Sequence, residues 1–438
     1  MKMDHTRKAV VSAAFSLIFM GLGQLYNRQY VKGLLLSTFE WLVILFLSKP
    51  IIHGLWGLIT LGEQVQVRQR GRIVEQGDHS IFLMIEGIML LIVLLAVAAV
   101  YAGNVVDAYR TTQGRSESKP ASGIRRSLVR IWEKNYAYVL LSPAMFFALF
   151  LIVLPLLFGV LIAFTNYSAP NHLPPKNLVE WVGFDTFRTL FTFGQWSHTF
   201  LGVTVWTVTW AVLATVTTFF VGMMYALIIN HPAVRLKRLW RSIFILPWAI
   251  PQFISILIFR NIFNGEFGPL NQLLTSVGLN AVPWLSDPFW AKTSLVLVNV
   301  WFGFPYWMIL MSGVLTGIDK SMYEAAEIDG ANARQRFSSI TLPSVMQATM
   351  PLFIMSFAGN FNNFNLIYLF TAGGPVEPSY TYAGSTDILI TWIYGLTLTQ
   401  NQFHIASALS VIIFVFIAAL SIWNFRRTRS FREEDLMQ

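Results

Sequence analysis

The sequence predicts an all-α, polytopic transmembrane helix bundle of about eight spans, and three observations predict it. Of 438 residues, 55% are hydrophobic and only 12% charged, too few charges to cover a soluble domain of that length. The apolar runs are long and continuous, without the short alternating segments of a barrel strand. Hydrocarbon also offers the backbone no hydrogen-bond partner, so helices must satisfy it internally. The chain holds no cysteine, which excludes a disulfide framework and thiolate chemistry.

Taken in order, runs long enough to span lie at about 33–61, 81–103, 137–164, 200–229, 243–259, 293–315, 350–370 and 404–423. Lys49, Pro50 and His53 interrupt the first, and a span ending near Ser48 with an interfacial stretch after it fits equally well. The stretch 10–26, broken by Gly21 and Gly23, reads as an interfacial or re-entrant element, with a ninth span as the alternative. Pro247 and Pro251 kink the fifth span, as a static bend or a gate hinge. The expected division is 1–130, an N-terminal membrane region with this element and two additional spans, and 131–438, a core of six spans.

The net charge of +9 does not point to nucleic acid, because the charges cluster beside apolar runs as topology determinants do. Segments 105–136, 231–241, 318–346 and 425–438 hold seven, four, three and four Lys or Arg; loops 63–80, 166–199, 260–292 and 373–401 hold three, two, two and none. The first set is read as cytoplasmic, together with both termini, although Arg68, Arg70 and Arg72 fall on the opposite side. The opposite loops are short, so a soluble receptor for a solute must be another chain.

One cytoplasmic segment, 320–343, carries a motif. Its first half is helix-competent, with Ala325 and Ala326 giving a narrow surface; Gly330 permits a turn with positive φ. A second amphipathic piece sets Arg334 and Arg336 against Phe337 and Ile340, and Pro343 suits the first turn of the next span. An ordinary solvated loop is the plain reading of these features. The residues Glu324-Ala325-Ala326, Asp329-Gly330-Ala331 and Ile340-Thr341-Leu342-Pro343, however, resemble the EAA motif of importer-type ABC transporter permeases.

The resemblance extends from about Tyr136 to the C-terminus. Trp181-Val182-Gly183-Phe184-Asp185 is similar to an outer-loop segment of sugar permeases, and Thr371-Ala372-Gly373-Gly374-Pro375 to the turn after their penultimate span. The likeness is to the MalF-type subunit of maltose and maltodextrin importers, with the ABC importer permease fold. The large extracytoplasmic domain that some members carry between the third and fourth spans is absent, and the region to about Arg130 matches only loosely.

The resemblance implies a coupling role for Glu324, Ala325, Ala326, Asp329, Gly330, Leu342 and Pro343, which would seat in a cleft of an ATPase subunit. It also implies the partners: a second, MalG-like permease subunit, two ATPase subunits carrying ATP and Mg, an extracytoplasmic sugar-binding protein and an oligosaccharide. The localisation implied is the bacterial cytoplasmic (inner) membrane. No cofactor is expected on this chain. A P-loop needs G-x-x-x-x-G-K-[ST], and no glycine here is followed by Lys-Ser or Lys-Thr in that frame.

Polar residues in spans usually face the bundle interior or a cavity. In the sixth span Asn299, Phe302, Gly303 and Tyr306 fall on one helix face; in the seventh, Ser356, Asn360 and Asn363 do. Asn362 and Asn365 widen the second patch. The bland reading is helix-to-helix glue. The sharper one is a site for a neutral polar solute, since amides offer donors and acceptors together and aromatic faces suit the CH face of a sugar ring. The resemblance implies the same seven residues as sugar contacts, with Phe302 standing where the family more often has an aliphatic residue.

The remaining candidates carry less. Glu40 fits a span end or interface as well as a proton relay, the histidines lack metal-ligand spacing, and no nucleophile–base constellation is visible. The chain is therefore not expected to be an enzyme. The rival class, an ion-coupled secondary transporter, predicts carboxylates at the bundle centre and internal repeats; the central spans lack the first and no repeat is detected.

Overall fold

The computed structural model describes residues 2–69, 72–113, 136–138, 140–173, 177–192 and 194–427. The boundary expected at 130/131, and the charges in 114–135 and 428–438 together with Arg70, lie outside the described residues. The chain divides into two compact units, Met1–Gly183 and Phe184–Gln438.

The first unit contains α1 (Lys2–Ile18), α2 (Leu22–Tyr26), α3 (Tyr30–Thr60), a β1–β2 hairpin (Val67–Gln69 and Arg72–Glu75), α4 (Ser80–Gln113) and α5 (Leu140–Ile162). Pro50 sits inside α3 without ending it, so the first span does not stop near Ser48. At about 1.5 Å per residue, its 31 residues are long enough to cross a membrane with a tilt.

The stretch 10–26 is a helix broken before Gly21, and it is not among the helices long and apolar enough to cross. It is held by a buried polar network. Asn27 donates to the Ser12 hydroxyl at 2.8 Å and to the Ala108 carbonyl at 3.1 Å, and Thr112 donates to the Asn27 side-chain oxygen Oδ1 at 2.8 Å. Gln24 donates to the Asn104 carbonyl at 3.0 Å. Such a network is stable only because its members satisfy one another. Glu40 has a local task here: its carboxylate accepts the Met20 backbone N–H at the helix break, while Ser37 donates to the Met20 carbonyl at 2.8 Å.

The second unit runs α6 (Asp185–Thr192), α7 (Gly194–Asn230), α8 (Lys237–Ala249), α9 (Gln252–Ile262), α10 (Pro269–Ser276), α11 (Pro288–Gly317), α12 (Lys320–Ile328), α13 (Ala333–Phe361), α14 (Phe364–Thr371), α15 (Leu389–Leu398) and α16 (Phe403–Arg427). Helix α7 is its centre and packs along α11 and α13. Two apolar clusters fill the contacts. One joins Trp206, Trp210 and Ala214 to Val298, Phe302 and Leu366; the other joins Phe219 and Met223 to Phe304, Trp307 and Val345.

Among the described residues, six helices are long and apolar enough to cross a membrane, and the bent pair α8–α9 makes a seventh if counted as one. The eighth predicted span is covered by α16, whose apolar stretch is Phe403–Ala419. Two predicted spans differ in detail. The fifth is two helices meeting at 90°, because Ile250, which precedes Pro251, is extended (φ −101°, ψ 132°), the conformation a following proline imposes. The seventh begins earlier, at Ala333, and ends at Phe361; Asn363 then caps the separate helix α14 by accepting the Leu366 N–H at 3.4 Å.

Helices α5 and α13 share a device. Each contains a π turn, Leu149–Val153 and Phe337–Thr341, ending two residues before a proline, Pro155 and Pro343. A proline inside a helix removes one N–H and crowds the preceding turn, and the wider turn makes room for it.

Candidate functional site

The two polar stripes converge on one turn of α7. From α11, Asn299 is 7% exposed and donates to the Ala214 carbonyl at 3.4 Å. From α13, Asn360 donates to the Thr215 hydroxyl at 3.0 Å, and its own carbonyl accepts the Trp210 indole N–H at 3.1 Å. Both amides thus do cross-helix work, each bond of this kind contributing about 0.6–2 kcal/mol in a membrane.

The other residues of the stripes take different positions. Gly303 packs against α7: a Cβ there would stand 2.5 Å from the Thr218 methyl, so the glycine sets the approach of the two helices. Phe302 is buried in the cluster with Trp210 and Leu366, edge-on to Phe259 at 6.1 Å. Asn363 is engaged in the α14 cap. Ser356 and Tyr306 are half-buried. Asn362 and Asn365 are exposed.

Tyr306 brings in a residue that sequence reading missed. Trp248, half-exposed at the α8–α9 break, lies nearly parallel to the Tyr306 ring at 6.0 Å, with an angle of 28°. Its indole N–H donates to the Phe302 carbonyl at 3.2 Å. A pair of aromatic faces, on the side of α11 that also carries Asn299, can receive the apolar face of a neutral solute. The signal for Trp248 was its place between Pro247 and Pro251, where a broken helix presents a side chain that a straight span would hide.

The segment 320–343 is built separately. The Asp319 carboxylate accepts the Ser321 N–H at 2.9 Å and caps α12. That same bond holds the Asp319 pKa below the ordinary carboxylate value. Helix α12 presents Glu324, Ala325 and Ala326, and Asp329 follows it. None of the helix's nine residues is buried. Gly330 then takes φ +77° with nothing near its Cβ position, so it serves the turn rather than a close contact.

Asn332 and Gln335 form a capping box that starts α13. The second helical piece is continuous with the next span through the π turn, so Leu342 and Pro343 lie within α13 rather than at a fresh start. Two contacts tie α12 to α13: the hydroxyls of Tyr323 and Thr341 at 2.8 Å, and the ion pair of Glu327 with Arg336.

The two loop segments that resemble those of sugar permeases are also anchored. The Trp181 indole donates to the Ile59 carbonyl at 3.1 Å within the first unit. In the loop after α14, Thr371 and Thr386 hydroxyls meet at 2.8 Å, and the Thr386 N–H donates to the Gly373 carbonyl at 3.1 Å. Among the described residues, no group of three His, Asp or Glu side chains could hold a metal ion.

Comparison with known proteins places this architecture. The family described as binding-protein-dependent transport system inner membrane component matches residues 218–429, a stretch that holds α11, α12 and α13. The galactooligosaccharides transport system permease protein of Bacillus subtilis is 40% identical over 99% of this chain and 100% of its own length. The maltodextrin transport system permease protein of the same organism is 38% identical over the whole of both chains.

The MalF maltose/maltodextrin permease of Escherichia coli is 41% identical over 56% of this chain and 49% of its own length. A crystal structure of a bacterial ABC transporter involved in the import of alginate contains a chain that superposes with a TM-score of 0.53 at 26% identity, over 70% of this chain and 99% of that one. The chain belongs to the family of binding-protein-dependent transport system inner membrane components, as a MalF-type permease of the ABC importer fold.

Proposed function

We propose that this chain forms one half of a heterodimeric translocation path in an ATP-driven importer of an oligosaccharide, a maltodextrin. Its partners are a second, MalG-like permease subunit, two ATPase subunits and an extracytoplasmic sugar-binding protein. ATP and Mg are handled by the ATPase subunits, and this chain performs no covalent chemistry. It lies in the cytoplasmic membrane with both termini inside, in a region 1–130 joined to a permease core 131–438.

One observation carries this reading. Helix α12 is capped, turned and tied to α13, yet Met322 is 48% and Ile328 87% exposed. A helix that leaves its apolar residues uncovered is suited to the cleft of another subunit. Closure of the ATPase pair moves α12, and Tyr323–Thr341 and Glu327–Arg336 pass that movement to α13. Both α11, which leads into α12, and α13, which follows it, contribute to the polar stripes. The seven residues Asn299, Phe302, Gly303, Tyr306, Ser356, Asn360 and Asn363 line or shape the solute path, with Trp248 added by its stacking on Tyr306. Alternating exposure then requires only that the solute bind the two states differently.

The relative named for galactooligosaccharides, similar over its full length, favours a second sugar class. The test is ATPase stimulation and uptake by the assembled transporter in proteoliposomes, with its binding protein and either maltodextrins or galactooligosaccharides. Stimulation by maltodextrins is the expected result. Stimulation by galactooligosaccharides alone replaces the sugar, and stimulation by neither overturns the oligosaccharide reading.

A further inference from the structure

A cavity of about 270 Å³ opens between α8 and α11, beginning one turn beyond the Trp248–Tyr306 pair on both helices. Its walls are Ile245, Met308 and Ile309; its polar groups are Arg241, Ser312 and Thr316. Thr316 stands one residue before the end of α11, where the chain leaves for the coupling helix. The cavity therefore lies at the end of two membrane helices.

Charge at this end is one-sided. Arg235, Lys237, Arg238 and Arg241 follow one another closely, and among the described residues no carboxylate forms an ion pair with any of them. Lys237 and Arg241 both reach Asn230, at its carbonyl (3.0 Å) and its side-chain oxygen (2.9 Å). These bonds answer the negative end of α7. They also fix Arg241 at the mouth of the cavity with most of its five N–H donors uncommitted. Thr316 bonds its hydroxyl to the Gly313 carbonyl at 2.7 Å, which turns the rim hydroxyl inward on its own helix.

An apolar slot with a guanidinium at its mouth, at the end of two membrane helices, matches an amphiphile with a phosphate head. A guanidinium grips phosphate with paired donors, and basic pockets between transmembrane helices take lipid headgroups. We propose that this cavity binds a phosphate-bearing anionic membrane lipid, its headgroup held by Arg241 and its acyl chain laid against Ile245 and Ile309. The inference rests on the reading of the chain as a membrane permease and not on which solute it transports. It places a lipid where α11 runs out toward α12.

The assembled transporter, reconstituted in nanodiscs of phosphatidylcholine with a minor share of phosphatidylglycerol, is released into mild detergent and weighed by native mass spectrometry. Wild type is expected to retain phosphatidylglycerol in preference to phosphatidylcholine. Arg241→Gln should reduce that preference by about fivefold, the effect of one basic group near a membrane surface. Arg241→Lys should restore part of it, which separates charge from the Asn230 bond.

Ser312→Leu, which fills the cavity without changing charge, should reduce retention of both lipids. Equal retention by wild type and Arg241→Gln overturns the site. So does loss of the adduct on adding glycerol 3-phosphate, which would assign the site to a free phosphate ester. Absence of any adduct in the assembled complex also overturns it, since a partner subunit would then fill the slot.

Discussion

The hydroxyl of Tyr323, on the exposed helix α12, meets the hydroxyl of Thr341 inside the π turn of α13 at 2.8 Å. The position of α12 relative to the span that follows rests on this bond and on the Glu327–Arg336 pair. The pair is partly exposed, so solvent screens it and its contribution is small. The hydroxyl bond is part-buried and contributes about 1 kcal/mol.

Tyr323→Phe should therefore leave insertion and assembly intact while lowering uptake per ATP hydrolysed by about fivefold, the factor that such an energy represents in a two-state coupling. Arg336→Ala should have a smaller effect. The ratio of sugar uptake to ATPase in proteoliposomes reads both. An unchanged ratio in the double variant would mean that the push travels through the backbone of 329–332 alone.

Asn299 and Trp248 separate the two readings of the site, helix-to-helix glue and solute contact. Asn299 is buried and bonded to α7, so Asn299→Ala should lower thermal stability by about 0.6–2 kcal/mol, with uptake falling as a consequence. Trp248 is half-exposed and stacks on Tyr306, so Trp248→Ala should weaken sugar-stimulated ATPase with little change in melting. Melting curves and sugar titrations on the same preparations distinguish them. If Trp248→Ala melts earlier but responds normally to sugar, the aromatic pair is packing only.

Much of this architecture was legible from sequence because lipid acts locally: a run of apolar residues declares a span whatever its neighbours are. Gly330 and the Pro247–Pro251 pair are equally local signals. What sequence could not give is which helix stands opposite. Asn299 and Asn360 sit on recognisable faces, but Ala214 and Thr215 belong to a long apolar helix that offers no mark of being their common partner. Glu40 was ambiguous for the same reason, since its partner is a backbone N–H freed by a helix break at Met20. The prolines mark the break in the fifth span, but which residue Trp248 meets beyond it, Tyr306, is not a local property.

The two glycines of the predicted sets make opposite predictions. Gly303 faces Thr218 across a close helix contact, so Gly303→Val should destabilise the protein by about 1–3 kcal/mol through overpacking. Gly330 has open space around it but a left-handed backbone, so Gly330→Ala should cost about 1–2 kcal/mol locally. Gly330→Asn, which tolerates that conformation, should cost less. Thermal melting reports the first, and the coupling ratio reports the second. A Gly330→Asn variant as uncoupled as Gly330→Ala would show that size, not φ, is selected there.

Asp387 gives the pH prediction. It lies in the loop before α15, where its carboxylate accepts the Gly384 N–H at 2.8 Å and the Thr391 hydroxyl at 2.7 Å. Burial pushes its pKa up, and these two bonds pull it down without cancelling the rise. A carboxyl whose folded pKa exceeds its unfolded value binds its proton more tightly in the folded loop. Its favourable contribution is thus complete below the unfolded value and is lost as pH rises through the folded one.

The loop around Thr381–Thr386 should therefore hold more firmly in mild acid than at neutral pH. Because the chain holds no cysteine, a fluorophore on Tyr382→Cys, an exposed position beside the bond that the Trp392 indole donates to the Thr381 carbonyl at 3.1 Å, is a local reporter of that change. The labelled protein should show a pH-dependent melting of this signal and its Asp387→Asn variant a flat one. The same slope in both proteins would assign the pH dependence to another group.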